Sequence, residues 1–121
     1  ISVPSHCELL IQQAQQLATM MEGIRTQQPS IKYLSGTSAR ILPTDRQIVD
    51  DIVFNMCRMI RWDNTVRAAW ERGARLHIEA LPGNVLTGLA KKTFKEGTVL
   101  SFQNTQLESL MTAMQIQQGC I

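Results

Sequence analysis

The sequence predicts an α/β fold in which short parallel strands alternate with helices, and three observations carry that prediction. Leu10, Ala14, Leu17, Met21 and Ile24 recur at the period of one helix face. From Arg75 to Ala80 apolar and polar residues alternate as on a strand, and Pro82-Gly83-Asn84 then turns the chain toward another helical pattern. Gly97, the run Val99 to Phe102 and the helix-opening Thr105-Gln106-Leu107-Glu108 repeat that order. Strand followed by helix favours a parallel sheet, because parallel neighbours need a long crossover between them.

Taken in order, Ser5-His6-Cys7-Glu8 has the form of a capping box, with Ser5 at the cap and His6 at the first helical position. The helix it opens reaches about Ile24, with Gln12, Gln13, Gln15 and Gln16 on its solvated side. Gln28-Pro29 breaks the pattern, Ile31 to Leu34 reads as a short strand with Ile31 and Tyr33 on one face, and Gly36 to Pro43 reads as a loop. Thr44-Asp45-Arg46-Gln47 is a second capping box, and Val49, Ile52, Val53, Met56 and Ile60 continue its helix. A further helical piece from about Asp63 carries Val66, Ala69 and Trp70 until Gly73 stops it, with Trp62 at the joint.

In the strand that follows, Leu76, Ile78 and Ala80 fall on one side and His77 and Glu79 on the other. Val85, Leu86, Leu89 and Ala90 are the expected buried side of the next helix. Leu107, Leu110, Met111 and Met114 are the expected inward face of the last, and Thr105-Gln106-Leu107-Glu108 is its capping box. No repeat and no linker divides the chain.

With 121 residues, 44% of them hydrophobic, the chain can bury about two-thirds of its unfolded surface without disulfides. The net charge of +2 comes from interspersed signs, so nothing favours nucleic acid or a membrane surface as a partner. No apolar run approaches the roughly 20 residues of a membrane span, and Cys7, Cys57 and Cys120 lack metal-ligand spacing. A cytoplasmic protein with reduced, structural thiols is expected. The opening Ile1-Ser2-Val3-Pro4 carries no Met and reads as a piece of a longer chain.

His6 is the position with most chemistry to offer. Unpaired amides and the positive end of a helix disfavour an imidazolium, which suits a proton acceptor. From spacing alone the plainer reading is preferred, in which Ser5 and Glu8 cap a helix and His6 is a surface residue between them. Cys7 and His6 are adjacent and would point about 100° apart on a helix, so they form no nucleophile pair. His77 with Glu79 reads as a neighbour contact, and Pro82-Gly83-Asn84 as a simple turn. There is no GxSxG, HExxH or CxxC, so a candidate base stands without a nucleophile, and no metal site is expected.

Ser2-Val3-Pro4-Ser5-His6-Cys7, the stretch NMCRMIRW from Asn55 to Trp62, and EALPGNVLTGL from Glu79 to Leu89 together resemble the malonyl-CoA:acyl carrier protein acyltransferase family. Tyr33-Leu34-Ser35-Gly36, Asn55-Met56 and Glu71-Arg72-Gly73-Ala74-Arg75 are most similar to the acyltransferase (epsilon) subunit of bacterial malonate decarboxylase. Leu81 stands where many members have Gly before the Pro-Gly turn.

The resemblance implies that residues 1–121 are the C-terminal part of an α/β-hydrolase-like large subdomain, with Ile1 to Pro4 leaving a small ferredoxin-like insertion. It implies a Ser nucleophile on a segment absent from this chain, His6 as general base, and the backbone carbonyl of Asn55 as the group that orients it. It implies malonyl-CoA as substrate, no covalently bound cofactor, and acyl carrier protein as partner. The missing N-terminal half of the domain and other malonate decarboxylase subunits are further implied partners. Alone, the fragment is expected to be inactive and to leave a sheet edge and an apolar face uncovered. Two alternatives stand beside this: a non-catalytic module that docks a carrier protein, and a malonyltransferase of fatty acid synthesis.

Overall fold

A computed structural model describes residues 4–118. Ile1, Ser2, Val3 and Cys120, named above, lie outside the described residues. The chain forms two compact units, divided between Thr65 and Val66.

In the first unit, a 3-10 turn at Glu8–Leu10 leads into α1 (Ile11–Met21). The residue before that turn is Cys7, extended and without a side-chain cap, so Ser5 does not cap the helix and His6 is not in its first turn. His6 instead has φ +57°, a left-handed conformation uncommon for a residue with a side chain and incompatible with a helix. Along α1 the predicted face is the inner one: Ala14 is fully buried, Leu17 and Met21 are half-buried, and the four glutamines are exposed. Ile24, past the end of the helix, is exposed.

The predicted strand shortens to β1 (Tyr33–Leu34), and the segment read as a loop contains β2 (Ile41–Leu42). The two pair antiparallel, Tyr33 opposite Leu42 and Leu34 opposite Ile41. Six intervening residues cannot make a parallel crossover, so a hairpin is the only pairing open to them. Ile31 lies outside the strand and is largely exposed.

Helix α2 (Asp45–Phe54) starts at the predicted cap, where the Thr44 hydroxyl accepts from the Gln47 N–H at 3.3 Å and donates to the Gln47 side chain at 2.9 Å. Asp45, in its first turn, accepts from the Thr26 hydroxyl at 2.6 Å and the Gln28 amide at 2.9 Å. Those bonds, the Thr26 one foremost, hold its carboxyl below the ordinary range and tie the chain after α1 to the head of α2, on which α1 packs. The helix does not run on to Ile60. It stops at Phe54, whose φ of −86° and ψ of 0° begin a 3-10 turn at Asn55–Cys57, and Arg58 is already extended. Nor is its inner face the apolar one expected: Asp51 is 4% exposed and Val53 2%, while Ile52 is 54% exposed.

Helix α3 (Trp62–Glu71) ends as predicted. Gly73 has φ +93°, its N–H bonds the Trp70 carbonyl, and the Ala74 N–H bonds the Ala69 carbonyl, the pattern of a Schellman stop.

The second unit is built on β3 (Leu76–Glu79) and β4 (Thr98–Ser101), which pair in parallel with Leu76 opposite Thr98 and Glu79 opposite Ser101. Helix α4 (Val85–Ala90) lies on the crossover and packs on both strands, as a βαβ unit requires. Its buried residues are Thr87 and Ala90, three apart on one face. Val85, Leu86 and Leu89, expected inside, are exposed, because Thr87 is bonded inward and Val85 and Leu89 fall nearly opposite it on the helix. In β3, likewise, Glu79 is buried and Ala80 exposed, the reverse of the alternation read from sequence.

Helix α5 (Leu107–Gln118) begins one turn-residue later than predicted: the Leu110 N–H bonds the Gln106 carbonyl, which puts Gln106 rather than Thr105 at the cap. Leu110 is 2% exposed, but Leu107, Met111 and Met114 remain about half exposed. A twelve-residue helix is about 18 Å long, and two strands about 5 Å apart cannot cover such a face. Phe94 is the aromatic centre of this unit, edge-on to Trp70 at 5.1 Å and to His77 at 6.0 Å.

Candidate active site

The early stop of α2 is what makes a site. In a continuing helix the Asn55 carbonyl would be bonded by the N–H four residues on; here the chain turns away and only the Arg58 N–H approaches it, at a long 3.4 Å. A lone pair is left over, and His6, 49 residues away in sequence, uses it: Nδ1 lies 2.8 Å from the Asn55 oxygen. A carbonyl only accepts, so Nδ1 carries the proton. On a neutral ring Nε2 is then the unprotonated nitrogen. The ring is exposed and meets the Asn55 carbonyl that the family resemblance implies, but not from the first helical position that the capping-box pattern predicts.

Behind Asn55 lies a polar cluster that sequence reasoning missed. The carboxylate of Asp51, one turn earlier on α2, accepts from the Thr37 hydroxyl at 2.6 Å, the Ser35 hydroxyl at 2.8 Å and the Tyr33 phenol at 3.0 Å. The Ser35 oxygen in turn accepts from the N–H groups of Thr37 and Ser38. Burial, with the bond to Asp51 and its charge adding, pushes the Tyr33 phenol up to about 12. The signal was present as Tyr, Ser and Thr at alternating positions 33, 35 and 37, followed by an acidic pair at 50 and 51, but apolar periodicity gave Ile52 precedence.

Other candidates are structural. Cys57 is buried and its thiol donates to the Phe54 carbonyl at 3.4 Å; Cys7 is half-buried. Glu79 accepts from the Thr87 hydroxyl and N–H, each at 2.6 Å, and from the Leu86 N–H at 3.2 Å. Burial opposes its charge, but these bonds and the nearby His77 outweigh it and hold the carboxyl low. Burial likewise pushes His77 down, against the attraction of Glu79. Among the described residues no three His, Cys, Asp or Glu gather as metal ligands, and no helix is long and apolar enough to cross a membrane.

Three grooves among the described residues are lined by other groups. One of about 450 Å³ runs between α1 and α2 past Met21, Val49 and Phe54, one of about 590 Å³ borders Thr37, Arg46 and Arg58, and one of about 440 Å³ lies between β4 and α5. Neither His6 nor Asn55 lines any of them.

No family model matches the chain. It is 34% identical over 92 residues to the malonyl CoA-acyl carrier protein transacylase of Haemophilus influenzae and 29% identical over 92 residues to that of Escherichia coli K12. Each alignment takes in 76% of this chain and 30% of the relative. An acyl carrier protein S-malonyltransferase from Vibrio cholerae superposes with a TM-score of 0.79 at 28% identity, over 93% of this chain and 36% of the other. A malonyl-transacylase solved in complex with a type II polyketide synthase acyl-carrier protein gives a TM-score of 0.70 at 34% identity, over 84% of this chain and 32% of the other. The α/β fold class agrees with these neighbours. By sequence and by fold, then, the chain matches the malonyl CoA-acyl carrier protein transacylase family over part of its length, spanning about 30% of the curated relatives.

Proposed function

We propose that this chain is the C-terminal part of a malonyltransferase, and that His6 is its general base. The observation that carries the reading is the 2.8 Å bond from His6 Nδ1 to the Asn55 carbonyl, which leaves Nε2 to accept a proton. A Ser hydroxyl from the remainder of the domain gives its proton to Nε2 as its oxygen attacks the malonyl thioester carbonyl. The tetrahedral intermediate then expels the coenzyme A sulfur, which takes the proton back from His6. A malonyl ester on Ser remains, and the thiol of a carrier protein removes it by the same two steps in reverse. Asn55 acts through its backbone oxygen, fixing the tautomer as a carboxylate does in a Ser-His-Asp triad.

Malonyl-CoA as substrate and acyl carrier protein as partner follow the named activities of the relatives, one of which was solved with a carrier protein bound. The exposed apolar residues of α4 and α5 support a further partner, the N-terminal half of the domain. The finer setting, malonate decarboxylase with its other subunits, rests on Tyr33-Leu34-Ser35-Gly36 and Glu71 to Arg75 alone. Genes for decarboxylase subunits beside this one would support it, and fatty acid synthesis genes in their place would exclude it.

The test uses the full-length protein that contains this chain. Its reading frame should hold a GxSxG upstream of Ile1, and His6→Ala should lower malonyl transfer by about 10²–10⁴-fold. A variant turning over at the normal rate removes His6 from the mechanism. A full-length protein that binds carrier protein yet lacks a nucleophile is a docking module instead.

A further inference from the structure

We infer that Asp51 is a positioning residue for His6: by gathering the hydroxyls of Tyr33, Ser35 and Thr37 it sets the rotation of α2, and with it the direction in which the Asn55 carbonyl meets the imidazole. The inference rests on the reading of His6 as the base. Its ground is an inversion of burial. On α2 a carboxylate is 4% exposed while its neighbour Ile52 is 54% exposed. Hydrophobic burial alone would roll the helix the other way, putting Ile52 inside and the charge in water. What holds the observed rotation is the set of three hydroxyl donors at 2.6, 2.8 and 3.0 Å.

Residues four apart on a helix lie on the same face, so the rotation that turns Asp51 inward also aims the backbone one turn later, at Asn55. The same loop secures the far side of that turn. The Gly36 carbonyl accepts from the Arg61 N–H at 2.8 Å, and the Ser35 carbonyl accepts from the Thr65 hydroxyl at 3.2 Å. Thus the loop after β1 grips the chain before Asn55 through Asp51 and after it through Arg61 and Thr65. The turn carrying the Asn55 carbonyl is fixed from both ends.

The experiment reads the tautomer of His6 directly. Nitrogen-15 shifts of the imidazole in the labelled full-length protein that contains this chain report whether Nδ1 or Nε2 carries the proton, a signature that mere loss of stability in a folded protein does not move. The unsubstituted protein should show the Nδ1–H form dominant. Asp51→Asn and the isosteric Thr37→Val should each shift the Nδ1–H to Nε2–H ratio by about fivefold or more, the worth of roughly one hydrogen bond. Thr37→Ser, which keeps the hydroxyl, should restore the unsubstituted ratio. Folded variants with an unchanged ratio overturn the role of Asp51 and leave His6 as the base. Unfolding of both variants also overturns it, since the cluster would then hold the unit as a whole. Absence of the Nδ1–H preference in the unsubstituted protein strikes at the His6–Asn55 relation itself.

Discussion

Glu79 holds Thr87 at both of its donors, the hydroxyl and the backbone N–H each 2.6 Å from the same carboxylate oxygen. The strand thereby supplies the cap for the helix that follows it, a place Asn84 leaves without a side-chain bond. The Thr87 hydroxyl also reaches the Leu100 carbonyl at 3.3 Å, linking β3, α4 and β4 through one side chain. Thr87→Val, similar in shape but without the hydroxyl, should lower the denaturant midpoint of the second unit. Thr87→Ser should keep most of it. Equal midpoints for Val and Thr would show the hydroxyl to be dispensable.

Gly97 sits where a side chain has no room. A Cβ there would meet the Arg75 carbonyl at 2.8 Å, Phe94 at 3.0 Å and Trp70 at 3.1 Å, and the first of these is backbone paired to Thr98. Gly97→Ala should cost about 1–3 kcal/mol in chemical unfolding, as overpacking does. Gly88, with nothing within 4 Å of a built Cβ, is the control: Gly88→Ala should be neutral or slightly stabilising, since alanine favours a helix interior.

Tyr33 is the single tyrosine, so phenolate absorbance reports it alone. Its midpoint should fall near 12 instead of 10.0. The folded state then holds a proton that the unfolded state releases earlier. The stability this contributes is complete below pH 10 and is lost as pH rises toward 12. Asp51→Asn, which removes the neighbouring charge, should bring the midpoint down. An ordinary midpoint in the folded, unsubstituted chain would contradict the buried cluster.

His77 predicts the opposite slope. Its folded value lies below the ordinary 6.5 because of burial, so the unfolded chain binds the proton first. Stability is complete above about pH 6.5 and falls as the pH drops through the interval below it. Glu79, also lowered, adds its loss only below its ordinary 4.5. Unfolding midpoints measured from pH 7.5 to 5 should decline, and His77→Gln should flatten that decline. A decline of equal slope in the variant would assign it to another group.

Local chemistry was legible in the sequence. The inner face of α1, the Thr44 cap, the stop at Gly73 and the parallel β3–α4–β4 unit follow from periodicity and from residues whose effect is confined to one turn of chain. The segments of the candidate site were legible too, because Ser-His-Cys and NMCRMIRW resemble a known family. Which way α2 faces was not legible. Periodicity ranks Ile52 above Asp51 as a core residue, and only the arrival of three hydroxyls from a loop 14 to 18 residues earlier reverses that order. The same holds for Glu79, buried by a helix that begins six residues later.

Most helices and strands form where neighbours within a few residues favour them; β2 and the early end of α2 are the departures. Which polar groups are buried, and the backbone conformation of His6, come from long-range contacts. His6 has a left-handed backbone where a first helical turn is predicted, and it meets the Asn55 carbonyl, 49 residues away, that the family resemblance implies. The reason is that burying a carboxylate, or freeing a lone pair on a backbone oxygen, depends on donors brought from distant positions, and no window along the chain contains both partners.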